Sequence, residues 1–557
     1  MSKFVQMLVT AAAADPQRGI TTGEPAAPVR RTWTQVHAQA RRAAGSLADG
    51  GLRRGDAVAL LAGDPSLIAP AVQGVWLAGG SVTMLHQPTS RTDLEAWAAD
   101  TVTVLRMIGS SLVLLGPPFD ALAAVLDEHG IGYRMLADLV DEAVAELPEP
   151  VAAGEDDTAL LQLTSGSTAE PKAVRITHRN LHANMTAMVQ AAALDPDTDV
   201  LVSWLPLFHD MGMVGFLILP MALGIELVKV TPVDFLSTPL LWPELISRHR
   251  GTVTAAPNFA YGLLGRRLPA ARDSDVRDVR LDTLRFALDG AEPIEPAAVR
   301  AFTDAGVRFG LDPRCMVCAY GMAEATLAVS FAPSNTGMQV DTIDAQQFES
   351  RRRAVPTGRS DGGATRAFPL LGPPLPGIEV RIIDDAGRVL GEREVGRIRL
   401  RGEAVTAEYL TVDGPESTQD AQGWLDSGDD GYLVDGAVVV CGRRKDVIIM
   451  GGRNVYPTDI ERAASNVDGV RAGNVVAVRI DAGRRRESFA VAVESRLAGD
   501  ADAERTIRRD VTSRVVDAIG MRPGAVVVLA PSSLPKTPSG KLRRAATWDR
   551  IAPLLRP

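Results

Sequence analysis

Cysteine is scarce in this chain: Cys315, Cys318 and Cys441 are the only three in 557 residues. Three thiols cannot staple a chain of this length, so a reducing, cytoplasmic setting is expected. Cys315 and Cys318 form a C-x-x-C, but no second pair completes a zinc site. Their apolar surroundings, CMVCAYGM, read as a buried strand. Basic charge is not in excess either. The 59 Lys and Arg against 68 Asp and Glu leave a formal net charge of -9, without the basic footprint of a nucleic-acid binder. No apolar run reads as a membrane span. The richest, 211–225, contains Pro220 and several glycines and is closed by Glu226; it reads as a buried helix lining an apolar pocket. The N-terminal SKFVQMLVTAAAADP has the lysine and alanine run of a signal peptide, but Gln6 and Thr10 interrupt it, and an N-terminal helix accounts for it better. No internal repeat is evident, and the G-x-x-x-x-G-K-[ST] spacing of a Walker A loop is missing.

What is present is an ordinary globular composition, 46% hydrophobic and 23% charged, on a chain long enough for more than one domain. Residues 58–62, 81–85 and 112–115 read as buried strands, with helical patterns such as 34–49 between them. That alternation predicts α/β layers with largely parallel sheets. Pro148, Glu149 and Pro150, followed by acidic 155–157, read as a linker. After Arg443 the strand candidates 475–478, 489–493 and 525–529 alternate with helices, enough for a small α+β domain. Residues 332–371 are rich in Gly, Ser, Thr and Arg and read as a long loop, which inside a compact domain is usually functional. His178 and His182 share a helix face at a metal-binding spacing, but no third ligand stands near, so surface or structural roles are expected.

The first motif follows the apolar run 159–163: Thr164, Ser165, Gly166, Ser167, Thr168, Ala169, Glu170, Pro171, Lys172. Hydroxyls, a turn glycine and exposed N–H groups suit phosphate oxygens, with Lys172 as balancing charge. By composition alone it is a solvated loop. The loop resembles the phosphate loop of the adenylate-forming superfamily, which includes acyl-CoA ligases, amino-acid adenylation domains and luciferases. Further matches follow in the family's order, up to Arg544, although Ala173 stands where the family usually has Gly.

The resemblance implies a role for each match. Ser203 to Gly212 carries His209 and Asp210; His209 is expected to position the substrate carboxylate and phosphates rather than move a proton. Phe208, Met211, Gly212, Asn258, Phe259 and Asp289 are expected at the acyl pocket. Gly290, Ala291 and Glu292 form the turn that packs against adenine, and a plain turn is the bland alternative. In Tyr320, Gly321, Met322, Ala323, Glu324, the ring of Tyr320 stacks on adenine and Glu324 holds Mg²⁺ bound to ATP. Asp429 accepts the ribose hydroxyls, Arg443 lies near the ribose, and Lys445 is the hinge. The tail LPKTPSGKLRR places the catalytic lysine at Lys541, where it stabilises charge as the carboxylate attacks the α-phosphate.

The implied fold is α/β: a large N-terminal domain (1–443) of layered subdomains, with two parallel-rich sheets and a small β-barrel, and a small mobile α+β C-terminal domain (444–557). The Ala323 version of the magnesium motif, the wording of the Trp204 and Asn258 segments, and the insertion within 332–371 resemble the fatty acyl-AMP ligase branch. That branch implies activation of a medium- or long-chain fatty acid with Mg·ATP. The acyl group then passes to the phosphopantetheine thiol of an acyl carrier protein, or of a carrier domain of a polyketide or nonribosomal peptide synthase. In that branch the insertion restrains the C-terminal domain and disfavours free coenzyme A. A long-chain acyl-CoA ligase and a catalytically silent nucleotide- or carrier-binding paralogue are the competing readings.

Overall fold

The computed structural model describes residues 1–88, 92–139, 145–164, 170–357, 364–450, 453–471, 473–480, 488–536 and 542–555. Two units emerge, one of Met1–Met338, Leu371–Glu379 and Leu400–Leu425, the other of Gln339–Leu370, Val380–Arg399 and Asp426–Pro557.

The first unit rests on two eight-stranded sheets. In one, Ala57–Leu61, Ser81–Met84, Leu112–Leu115 and Gly132–Met135 run parallel. Of these, Ser81–Met84 is fully buried, and Ala57–Leu61 and Leu112–Leu115 are buried except at their first residues. Such unbroken apolar runs belong to strands covered on both faces. The expected strands 58–62, 81–85 and 112–115 therefore lie within a residue of their predicted bounds. The same sheet continues through Thr158–Thr164 into an antiparallel edge, Lys172–Thr177, Glu408–Thr411 and Gly414–Ser417. The expected helix 34–49 is Trp33–Asp49, started by a capping box between Thr32 and Gln35.

The other sheet runs Ala328–Phe331, Met316–Gly321, Phe286–Gly290, Val253–Pro257, Val200–Ser203, Glu226–Lys229, Gly19–Thr22 and Val29–Thr32. Every pair from Met316–Gly321 to Gly19–Thr22 is parallel. The N-terminal segment forms the helix Lys3–Ala14, which buries Phe4, Val5 and Leu8. The apolar stretch 211–225 differs in detail from the single helix expected. Met211–Ile218 is a wide π-type turn with Phe216 outside helical angles, followed by the short helix Leu219–Leu223 and a left-handed Gly224. Every residue of Met211–Ile218 is buried. Among the described residues no helix is long and apolar enough to cross a membrane.

The C-x-x-C lies where a strand was expected, with Cys318 in Met316–Gly321 and Cys315 just before it. Both thiols are free and buried, and burial pushes that of Cys315 up to about 12. His178 is buried with its Nδ1 2.9 Å from the Ser2 hydroxyl, and desolvation pushes its pKa down to about 4. Among the described residues no group of three metal-binding side chains forms.

The part expected as a small β-barrel is built from a four-stranded sheet, Ile378–Ile383, Gly396–Gly402, Leu425–Val434 and Ala437–Arg443, and a two-stranded sheet, Val340–Asp344 with Thr365–Pro369, most of whose residues belong to the second unit. Ile343, Phe348, Phe368, Val395, Tyr432, Val439 and Tyr456 close one core between them. Residues 332–371 are therefore not the structureless loop expected: they hold that strand pair and the helix Ala345–Arg351. The elements are too short to show a period. The tail folds as the α+β arrangement expected. Val475–Ile480, Ser488–Glu494 and Ala525–Leu529 form a sheet, with Pro457–Ser465 and Ala501–Ile519 contributing to the core on one face and Arg544–Leu555 on the other. Position 443/444 falls where the strand Ala437–Arg443 gives way to the turn Arg444–Asp446.

Candidate active site

Four of the sequence motifs converge for one topological reason. Each is the segment that leaves the carboxyl end of a parallel strand, and in open α/β sheets ligands sit at those ends. Ser203 leads into Trp204 and His209, Pro257 into Asn258, Gly290 into Ala291 and Glu292, and Gly321 into Met322 and Glu324.

At the expected adenine turn, Gly290 is followed by Ala291 in the left-handed region, at φ 67°, a conformation that costs energy for a residue with a Cβ and clusters at functional sites. The Phe259 N–H donates to Glu292 Oε1 at 2.6 Å, so this carboxylate caps the helix Asn258–Ala270. Tyr320 is buried, and its hydroxyl lies 3.7 Å from Met322 Sδ. Gly321 permits a close approach: a Cβ there would stand 2.2 Å from the Leu327 carbonyl oxygen. Ala323 and Glu324 then form a tight turn.

The Glu324 carboxylate accepts the Tyr409 hydroxyl at 2.5 Å, while its carbonyl accepts the Thr406 N–H at 2.8 Å. Lys172 stands opposite Thr164 across the hairpin. Its ammonium is 3.1 Å from Glu416 and 5.4 Å from the Tyr409 ring centroid. Lys172, expected to balance phosphate charge, is thus held by a carboxylate beside the tyrosine that holds Glu324. Ser165, Gly166, Ser167 and Thr168 lie outside the described residues. Mg²⁺ binds through one or two carboxylates and completes its shell with phosphate oxygens and water. One oriented carboxylate, without a cage of three, fits a magnesium ion that arrives on ATP.

His209 Nδ1 lies 2.7 Å from Asp210 Oδ1, and the Met211 N–H donates to the same oxygen at 2.7 Å. The turn before it is fastened from two sides. Gln162 Nε2 donates to the Phe208 carbonyl at 3.0 Å. The ammonium of Lys229, 1% exposed, donates to the Leu205 carbonyl and, at 3.3 Å, to that of Val230. Burial pushes the Lys229 pKa down to about 7. His86 packs edge-on against Phe208, centroids 5.7 Å apart, and desolvation with the nearby His209 pushes it down to about 4. Gly212 is required by packing, since a Cβ would meet the Pro206 oxygen at 2.1 Å. Phe208 and Met211 are buried around this turn.

Asn258 and Asp289, both assigned to the acyl pocket, come together: Asn258 Nδ2 donates to Asp289 Oδ2 at 2.7 Å. Asp289 is fully buried, and desolvation holds its carboxyl well above the usual carboxylate range. Phe259 is partly exposed, its ring 6.1 Å from Trp204. Trp204 in turn stacks on Phe235 at 4.0 Å.

Asp429, Arg443 and Lys445 lie in the second unit. Asp429 faces Arg443 across a hairpin, with Arg443 Nε 3.0 Å from Asp429 Oδ1 and a second guanidinium nitrogen 3.0 Å from the Ser427 carbonyl. Lys445 occupies the turn Arg444–Asp446. Lys541 lies outside the described residues. The neighbouring Arg544 is anchored to Asp446 at 3.1 Å and to Glu461 at 2.8 Å. The inserted segment is fastened to the tail inside this unit. Arg366 pairs with Asp459 inside a cage of Phe348, Phe368 and Tyr456, and Arg453 pairs with Glu349.

Sequence reasoning missed Tyr409, Gln162, His86 and Lys229. Only Lys229 leaves a local signal, a charge inside the apolar run LVKV.

A family model described as AMP-binding enzyme matches residues 9–410. The provisionally named ligase Rv1013 of Mycobacterium tuberculosis is 56% identical over 528 residues, covering 95% of this chain and 96% of its own. The long-chain-fatty-acid–AMP ligase FadD28 of Mycobacterium tuberculosis is 32% identical, covering 74% of this chain and 73% of its own. Among solved structures, one from a study of fatty acyl-adenylate ligases of E. coli and L. pneumophila superposes with a TM-score of 0.90 at 31% identity, over 100% of this chain and 98% of that one.

Proposed function

This chain belongs to the AMP-binding enzyme family, and from that premise we propose that it is a fatty acyl-AMP ligase: it joins a medium- or long-chain fatty acid to AMP, releases pyrophosphate, and passes the acyl group to the phosphopantetheine thiol of a carrier protein. In this reading the loop from Thr164 to Lys172 surrounds the ATP phosphates. Glu324, oriented by Tyr409, would hold a magnesium ion that arrives on ATP, whose charge would offset that of the phosphates. Tyr320 and the turn at Ala291 take the adenine. Asp429, steadied by Arg443, accepts the ribose hydroxyls. His209 positions the carboxylate for in-line attack on the α-phosphorus, and Lys541 stabilises the charge that develops there. The segment 444–557 then turns about Lys445, a hinge movement that withdraws Lys541 and admits the thiol.

The observation that supports the carrier-protein half is the fastening of the inserted segment. Arg366 is buried among three aromatic rings and paired with Asp459, and Glu349 is paired with Arg453. Breaking a buried ion pair costs about 3–5 kcal/mol, which supports an insertion that restrains segment 444–557 rather than hanging free. The test is product analysis with Mg·ATP and a ladder of fatty acids, with coenzyme A or a phosphopantetheinylated carrier. Acyl-AMP accumulates despite coenzyme A and is consumed by the carrier. In Arg366→Met, acyl-CoA formation rises. Rapid acyl-CoA formation by the unaltered protein overturns the reading in favour of an acyl-CoA ligase.

A further inference from the structure

Two buried polar atoms beside the expected acyl pocket have no hydrogen-bond partner among the described residues. Asp289 Oδ1 accepts and donates no hydrogen bond among the described residues, although its carboxyl is fully buried. The indole N–H of Trp204 is likewise buried without an acceptor. Buried polar groups left unmatched are uncommon, and each calls for an explanation such as a ligand. The two are placed to meet one ligand. Ala256 pairs with Asp289 on the neighbouring strand. The strand before Trp204 pairs Leu201 with Val253 and Val202 with Thr254, and Trp204 directly follows its last residue, with its ring 6.1 Å from that of Phe259, the neighbour of the Asn258 that bonds Asp289. Trp204, Ala256 and Asp289 thus belong to a row of three adjacent parallel-strand ends. The three ends span roughly 10 Å, two strand spacings, with the small Ala256 on the middle strand.

The chemistry of the row is directional. Asp289 Oδ2 already accepts from Asn258. Burial pushes the Asp289 carboxyl upward, toward its protonated form, and with Oδ2 accepting from Asn258 the proton of that form sits on Oδ1, which then donates. The Trp204 indole offers only a donor. Two donors without acceptors match oxygen acceptors on a ligand, and an unsubstituted alkyl chain supplies none. Phe235, Phe259 and Trp242 around Trp204 still provide apolar walls for a hydrocarbon portion.

We propose that the acyl pocket selects an oxygen-bearing acid, an oxo or hydroxy acid, whose oxygen along the chain is read by the Asp289 carboxyl and the Trp204 indole. This rests on the adenylating reading of the same pocket and names the substrate class within it. A site built to hydrogen-bond a substrate oxygen rejects the analogue without it, because its own donors stay unpaired. The test is acid-dependent ATP–pyrophosphate exchange with straight-chain acids of increasing length. Each acid is compared with its oxo and hydroxy counterparts substituted progressively further from the carboxyl. At one position the oxygen-bearing acid is preferred by about tenfold or more in kcat/KM. In Trp204→Phe, and separately in Asp289→Leu, that ratio falls toward one. Because the readout is a ratio within one variant, a general loss of activity does not imitate it, and the unaltered protein decides the matter if either variant fails to fold. Equal or better use of the unsubstituted acid at every length overturns the proposal and leaves the adenylating function standing. Exchange with none of these acids overturns both.

Discussion

Lys229→Met separates the electrostatics of the first unit from its packing. The Lys229 side chain is buried at the end of the strand Glu226–Lys229, with its ammonium on the Leu205 and Val230 carbonyls. Its pKa is about 7 in the folded chain against 10.5 in the open one. Between those values the unfolded chain holds a proton that the folded chain has released. Stability therefore rises with pH by about 1.4 kcal/mol per unit, is lowest below pH 7, and levels off above the unfolded pKa. From pH 7 to pH 9.5 the unaltered protein gains about 3 kcal/mol from this one group. Lys229→Met has no such group and gains nothing from it. It also leaves two carbonyls unpaired, at a cost of about 1–3 kcal/mol each. The two effects roughly cancel near neutrality, where both proteins melt at similar temperatures. At pH 9.5 the variant falls behind by several degrees. The assay is paired thermal melting across that pH range, so that groups common to both proteins cancel. Parallel curves would refute the reasoning, because they would mean that the Lys229 ammonium stays charged in the folded chain. Exchange activity supplies a second readout. The lost clamp on Leu205 loosens the turn that carries His209, and the variant's kcat/KM falls by about tenfold.

The remaining predictions concern single contacts. Tyr409→Phe removes a hydrogen bond to a charged carboxylate, worth about 1.5–3 kcal/mol; pyrophosphate exchange falls by about tenfold or more and its magnesium dependence shifts, and an unchanged magnesium titration would clear Tyr409 of the role. Gly321→Ala drives a Cβ into the Leu327 carbonyl, which accepts the Met322 N–H at 2.8 Å; the melting temperature drops by an amount equivalent to about 1–3 kcal/mol or more, measured by thermal denaturation, and a native-like melt would show that the strand end yields. Lys541→Ala abolishes acid-dependent exchange while nucleotide binding, followed by calorimetry, persists; retained exchange would remove Lys541 from the chemistry.

Much of this architecture was legible because the informative features are local. Buried parallel strands are unbroken apolar runs, so Leu112–Leu115 is recognisable without its neighbours. The site motifs are legible for a related reason. Four of them follow such a strand, and a segment that must turn sharply and face a ligand keeps Gly, small hydroxyl residues and one charged group close together in sequence. What escaped is what depends on distant partners. Tyr409 matters through Glu324, 85 positions away, and nothing in AEYL announces it. Arg366 reads as a surface charge in a polar stretch, yet it is buried because Phe348, Phe368, Tyr456 and Asp459 enclose it. The same distinction explains why the acyl pocket is less legible than the nucleotide side. In the proposed reading adenine and phosphate are met by short glycine-containing motifs that the sequence encodes directly. The proposed acyl contacts, Trp204 and Asp289, come from different strands, and they are neighbours only once the sheet order is fixed. A sequence motif therefore identifies the adenylating chemistry of this chain well before it identifies the acid.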